Sequence, residues 1–377
     1  MTRSMSPTRR PGPGVAALAC LLALHTATGL ACARRPKPVE YSLPQGAVLP
    51  IGSVPPTDAR ARFADVFCRV LAGTTAPDGT PWNTCDQYLA GARPAPAGEL
   101  PPVPTGLEAL FVGGVFSQCL ERADVPLRTF DDVREHFEQR LGIASHYVPV
   151  HPNGSVEQNA RAIAAWLADR PGEARFVAFG HSKGGLDLLE AVYAHADVAR
   201  RIVALVTLAT PFGGSRLPDL FSARLAGLPD EMTSPTRCRS TLEWGSGAMR
   251  DLRRDVRQLA LARRPAAPAC TPVFSLAAVA ATETAVSSLL RPLWRKVAPF
   301  SIDQDSQVVA EEAVPPGATF LGRGLGDHWA VAFPVERLHG VKRWARAVDR
   351  NRYPRPALAE AALRLAGAAQ RPGGCPP

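Results

Sequence analysis

The segment that most constrains the fold is Arg175-Phe-Val-Ala-Phe-Gly-His-Ser-Lys-Gly-Gly-Leu-Asp-Leu-Leu. An apolar run of strand type leads into Gly180-His181-Ser182-Lys183-Gly184, and an amphipathic helical pattern leaves it. Glycines two residues either side of a serine fit a backbone corner too tight for a Cβ at those positions, with the serine Oγ projecting from the strand end. A chain with 31 glycines and 18 serines would carry about 0.1 such pattern by chance. The helix that starts there turns backbone N–H groups and its positive end toward that Oγ, where an oxyanion would be stabilised. Ser182 is therefore the candidate nucleophile.

The surrounding sequence alternates strand and helix. Strand-like runs fall at Leu107–Val112, His146–Val150, Ala174–Phe179, Ile202–Leu208, Thr271–Ala277 and Thr319–Arg323. Helical patterns fall at Thr129–Arg140, Val156–Ala168, Lys183–Ala196 and Trp329–Val348. Such alternation predicts the α/β class: a mostly parallel central sheet with helices on both faces. Residues 34–105 are proline-rich, with one helix near Ala59–Leu71 whose Phe63, Val66, Phe67 and Val70 share a face. They read as an N-terminal extension to a main domain at 106–350, followed by a C-terminal helix and tail at 351–377. With 46% hydrophobic and 20% charged residues, the chain is neither disordered nor a fibre nor a multi-span membrane protein.

A serine needs a base, and the base needs an acid to orient it. In this architecture the three follow in the order serine, acid, histidine. Only His195, His328 and His339 lie beyond Ser182. His195 ends the helix that carries the serine, and His339 sits within a helical pattern. His328, in Gly324-Leu-Gly-Asp-His-Trp directly after a strand, is the candidate base. Ser301-Ile-Asp-Gln-Asp-Ser-Gln-Val-Val offers two acids, of which Asp305 fits a turn out of the sheet better than Asp303. Asp327 is adjacent to the base in sequence and reads as a cap. The oxyanion donors expected are the backbone N–H groups of Lys183 and of Val115, in Phe111-Val-Gly-Gly-Val-Phe-Ser, with Phe116 next. Lys183 and Asp187, four apart on one helix, read as a surface ion pair. No cofactor and no metal are expected: no CxxC pair occurs, and too few oxygen ligands cluster around Asp303-Gln-Asp305 for calcium.

The first 33 residues read as an export signal. Arg3, Arg9 and Arg10 precede an uncharged run from Gly14 to Leu24, too short to span a membrane, and small residues follow. Cleavage after Ala33 would release a soluble protein to the periplasm or the exterior of a bacterium. Processing after Ala31 would instead leave Cys32 as a lipid anchor. Of eight cysteines, six then remain in an oxidising compartment, where disulfides are favoured. Cys68–Cys85 and Cys238–Cys270 are the expected pairs, with Cys119 and Cys375 unassigned. The net charge of +9 rests on 39 arginines and only four lysines, without a basic run or interleaved aromatics, so nucleic acid is not an expected partner.

Five segments together resemble the α/β-hydrolase superfamily, and within it the secreted lipase-like serine hydrolases related to bacterial triacylglycerol lipases. They are Phe111-Val-Gly-Gly-Val, Gly180-His-Ser-Lys-Gly-Gly, Thr207-Leu-Ala-Thr-Pro-Phe-Gly-Gly-Ser, the Asp305 turn and Gly326-Asp-His-Trp. The resemblance covers about Leu107 to Val348. It implies hydrolysis of a carboxylic ester, of lipid or another acyl group, through an acyl-enzyme on Ser182, Asp305 and His328. An acyltransferase using the same three residues and a non-catalytic binding protein on the same scaffold are the alternatives. Two departures stand out: Gly113-Gly114 replaces the family's His-Gly, and Ser306 stands where glycine is common. The resemblance also places a helical lid at about 211–270. There Met249, Leu252, Val256 and Leu259 fall at helical spacing beside Arg250, Arg253, Arg254 and Arg257, a pattern suited to peripheral contact with an anionic lipid surface.

Overall fold

The computed structural model describes residues 49–93, 98–115, 117, 127–218, 246–268, 270–338 and 349–369, all within one compact unit, Ser42–Pro377. The export signal, Cys119, Cys238, Cys375, His339 and residues 219–245 of the expected lid lie outside the described residues.

Seven strands form one sheet: β1 Thr57–Asp58, β2 Glu108–Val112, β3 Ser145–Tyr147, β4 Phe176–His181, β5 Ile202–Leu208, β6 Val273–Val279 and β7 Thr319–Leu325. Their order is β1-β7-β6-β5-β4-β2-β3, and every pairing is parallel. Parallel strands need crossovers, and nine helices supply or follow them among the described residues: α1 Arg60–Ala72, α2 Asp131–His136, α3 Val156–Ala168, α4 Lys183–Ala194, α5 Ala196–Arg201, α6 Gly247–Asp251, α7 Arg254–Arg263, α8 Arg291–Val297 and α9 Arg355–Ala368. All six strands expected from sequence are present. The added β1, two residues long, pairs with β7 through Thr57 and Thr319, so the N-terminal segment contributes the sheet's edge.

Both sheet faces are covered, which explains the near-continuous apolar strands. Alternate residues of β2 and β4 serve opposite layers. Ala109, Phe111, Val177 and Phe179 pack with Phe63 and Phe67 of α1 and Leu358 and Leu363 of α9. Leu110, Val112, Phe176 and Ala178 pack with Ile163 and Leu167 of α3 and Leu188 of α4. Ser155 starts α3 with a capping box, its Oγ accepting from Gln158 N while Gln158 returns a bond to Ser155 N.

The helix expected at Trp329–Val348 is not formed in its described part. After His328 the chain makes a tight turn, passes Pro334 and takes one 3-10 turn at Val335–Leu338. Proline cannot continue a helix, and the apolar spacing that suggested one instead buries Trp329, Val331, Phe333 and Val335. The lid pattern is likewise interrupted. Met249 and Leu252 are buried at the end of α6, whereas Leu259 on α7 is exposed and Arg257 is buried, so the four apolar residues share no single face.

Cys68 of α1 is bonded to Cys85 across 17 residues. Cys270 is also disulfide-bonded, while Cys238, its expected partner, lies outside the described residues. Closing a loop of that length restricts the unfolded chain by about 3 kcal/mol. The Cys68→Ala/Cys85→Ala variant is therefore expected to unfold in urea with about 3 kcal/mol less stability. Neither cysteine is among the candidate site residues, so its activity at 25 °C should stay near wild type.

Candidate active site

Every sequence-predicted site residue lies at the carboxyl end of the parallel sheet. Ser182 follows β4 and Val115 follows β2, neighbours between which the strand order reverses, and this is where open α/β sheets bind ligands. Ser182 has φ 53° and ψ −130°, backbone that an L-residue adopts only under strain. The flanking glycines permit it. A Cβ on Gly180 would lie 2.5 Å from Gly185 Cα, and one on Gly184 would lie 2.4 Å from Val112 O. Gly114 lies directly against the nucleophile, since its Cβ would meet that of Ser182 at 2.8 Å.

The structure brings the three candidate residues into one hydrogen-bonded chain. His328 Nε2 is 2.9 Å from Ser182 Oγ, and His328 Nδ1 is 2.7 Å from Asp305 Oδ2. Asp305 is fully buried, and its other oxygen accepts from Gln307 N at 2.9 Å and Val308 N at 2.8 Å. With Oδ1 pinned by two amides, Oδ2 faces the imidazole. His328 N also donates to Asp305 O at 2.8 Å, which fixes the base's main chain to the acid's. Ser306 has φ 89°, so the turn requires the left-handed conformation that the family's glycine adopts freely. Asp303 points elsewhere, 3.3 Å from Arg323. Buried Asp327 accepts from Trp329 N and Ala330 N through one oxygen and from Ser287 N through the other, forming the turn that presents His328. Desolvation raises its pKa against those bonds.

Two supporting residues escaped the sequence reading. His181, inside the motif itself, is buried and donates through Nε2 to His328 O at 2.8 Å. Its ring lies edge-on to Phe130 and Phe333, and burial followed by repulsion from His328 lowers its pKa well below the ordinary value, keeping it neutral. Arg355, also wholly buried, donates to Asp132 at 2.7 Å and to Ala330 O at 2.8 Å, tying α9 to the turn after His328. Nothing local signalled either, because each acts through partners far along the chain.

The Lys183–Asp187 pair is not on the surface. Both side chains are buried at 2.6 Å separation, because α4 is enclosed by the sheet on one side and α3 on the other. The N–H of Lys183 opens α4 and so has no acceptor one turn back within its helix. Val115 and Ser182 line a small, largely apolar pocket with Pro211, Leu217, Met249, Leu252 and Val308.

No family model matches the chain, and no curated protein does. Solved structures do. A metagenomic carboxyl esterase shares 28% identity over 91% of this chain and 99% of its own, with a TM-score of 0.70. The lipase of Staphylococcus hyicus, 12% identical over 72% of this chain and all of its own, superposes with a TM-score of 0.50. EstA from Clostridium botulinum, 14% identical over 73% of this chain and 90% of its own, also gives 0.50. The two distant matches share the fold, while the esterase matches nearly end to end. A seven-stranded parallel sheet flanked by helices, with bacterial lipases and carboxyl esterases as structural neighbours, gives this chain the α/β-hydrolase fold.

Proposed function

We propose that the protein is a serine esterase that hydrolyses carboxylic esters through an acyl-enzyme on Ser182. The observation that carries this reading is the Ser182–His328–Asp305 chain of 2.9 and 2.7 Å, set on a strained corner beside an apolar cavity. His328 Nε2 takes the proton as Ser182 Oγ attacks the ester carbonyl. Asp305 holds the proton on Nδ1 and stabilises the imidazolium. The N–H groups of Lys183 and Val115 receive the oxyanion. Collapse of the tetrahedral intermediate expels the alcohol, which takes the proton from His328. Water, deprotonated by the same imidazole, then attacks the acyl-enzyme; the acid leaves and Ser182 regains its proton. The cavity wall of Val115, Leu217, Met249 and Leu252 suits an acyl chain. Export, through the signal at 1–33, completes the proposal, and the Cys68–Cys85 disulfide supports work in an oxidising compartment.

Mixing the protein with p-nitrophenyl butyrate tests the reading. A burst approaching one p-nitrophenol per chain, followed by slower turnover, is the expected result. Absence of any p-nitrophenyl ester turnover by the folded, oxidised protein would refute it.

A further inference from the structure

A lysine in the first turn of a helix opposes the helix dipole, and burying its ammonium with a carboxylate removes two charges from water. Apolar residues of similar volume would fill such a place at no loss of stability. Lys183 and Asp187 occupy it nonetheless, each about 1% exposed, and desolvation pushes the Asp187 carboxyl up to about 6 against the pull of the lysine. The arrangement is therefore read through what it holds in place.

The pair is one end of a buried chain. Asp187 Oδ1 accepts from Lys183 Nζ at 2.6 Å, and Oδ2 accepts from Asn159 Nδ2 at 2.8 Å. Asn159, 2% exposed on α3, clamps His151 at both main-chain groups: Nδ2 donates to His151 O at 3.1 Å, and Oδ1 accepts from His151 N at 3.2 Å. The loop from His151 to Ser155 in turn grips α6. Ala248 N donates to Asn153 O at 3.2 Å, and Val156 N donates to Asp251 Oδ2 at 2.7 Å. A Cβ on Gly247 would stand 2.8 Å from Ser155 N. On α6 lies Met249, and Leu252 follows it; both form the wall of the cavity beside Ser182. One continuous network thus joins the residue whose N–H faces the reacting carbonyl to the wall that would hold the acyl chain.

We propose that Asp187 and Asn159 are positioning residues: they fix the Lys183 N–H at the oxyanion's place and couple it, through the His151–Ser155 loop, to the α6 wall of the acyl cavity. This rests on the serine-esterase reading. Loss of one oxyanion donor lowers kcat by about 10²–10³-fold, so its displacement should cost about 10–100-fold.

The test compares wild type with Asp187→Asn, which keeps the shape, and with Lys183→Met/Asp187→Leu, which replaces the pair by apolar groups. Turnover of p-nitrophenyl butyrate, thermal unfolding and inhibition by butylboronic acid, whose tetrahedral adduct puts an oxygen in the same place, are read for each. The expected result is kcat lower by about 10–100-fold with KM near wild type, boronate affinity falling in step with kcat, and the double variant at least as stable as wild type. Turnover and boronate affinity close to wild type in both variants would overturn the proposal, leaving the pair as packing alone. Losses of kcat that track unfolding, with boronate affinity unchanged, would overturn it too. Turnover near the wild-type rate in Ser182→Ala would instead refute the esterase reading, so the two failures are distinguishable.

Discussion

Replacing Ser182 by alanine is expected to lower ester turnover by about a millionfold, the largest effect of any single substitution in the protein. The substitution removes one oxygen and nothing else that the fold uses. Alanine keeps the Cβ that meets Gly114, and it inherits the same strained φ of 53°. His328 stays fixed by its bonds to Asp305, so the site remains assembled without a nucleophile. Circular dichroism and the unfolding midpoint should match wild type. What turnover persists comes from the oxyanion donors and from binding, which alone still accelerate hydrolysis over water.

Asp305→Asn should lower kcat by about 10⁴-fold with little change in KM. The reason is the direction of one proton. Gln307 N and Val308 N both donate to Oδ1, so the asparagine must present its carbonyl oxygen there. Its NH₂ then faces His328 Nδ1, which has to become the acceptor, and the ring proton moves to Nε2. That nitrogen, 2.9 Å from Ser182 Oγ, can no longer take the serine proton. Asp303→Asn is the matching control. Its partner is Arg323 rather than the imidazole, so its turnover should remain close to wild type. A reversed order of effects between these two variants in steady-state assays would move the acid to Asp303.

Much of this was legible in the sequence because the relevant signals are local. The corner at Ser182 demands glycines at fixed offsets, and strands buried on both faces read as continuous apolar runs. His328 directly follows β7 and Asp305 lies in the crossover between β6 and β7, so topology carries both to the carboxyl edge of the sheet. The misreadings arose where the environment is set by distant chain. Lys183 and Asp187 have the spacing of a solvated ion pair, and only the packing of α3 over α4 buries them. Trp329, Val331 and Phe333 have an apolar spacing that a turn satisfies as well as a helix once Asp327 caps it and Pro334 stops it. Met249 and Leu252 matched a lipid-facing stripe, yet they line the cavity because the helix ends between them and Val256. The role of His181 depends on the carbonyl of a residue 147 positions away, which no pattern in one sequence reveals.

The most direct test of the account is covalent labelling of the folded, oxidised protein with a fluorophosphonate, followed by peptide mass analysis. The account predicts one adduct per chain, on the peptide containing Ser182, with labelling abolished in Ser182→Ala and strongly slowed in His328→Ala. Full labelling of Ser182→Ala, or an adduct on another residue in a protein that hydrolyses esters, would contradict it.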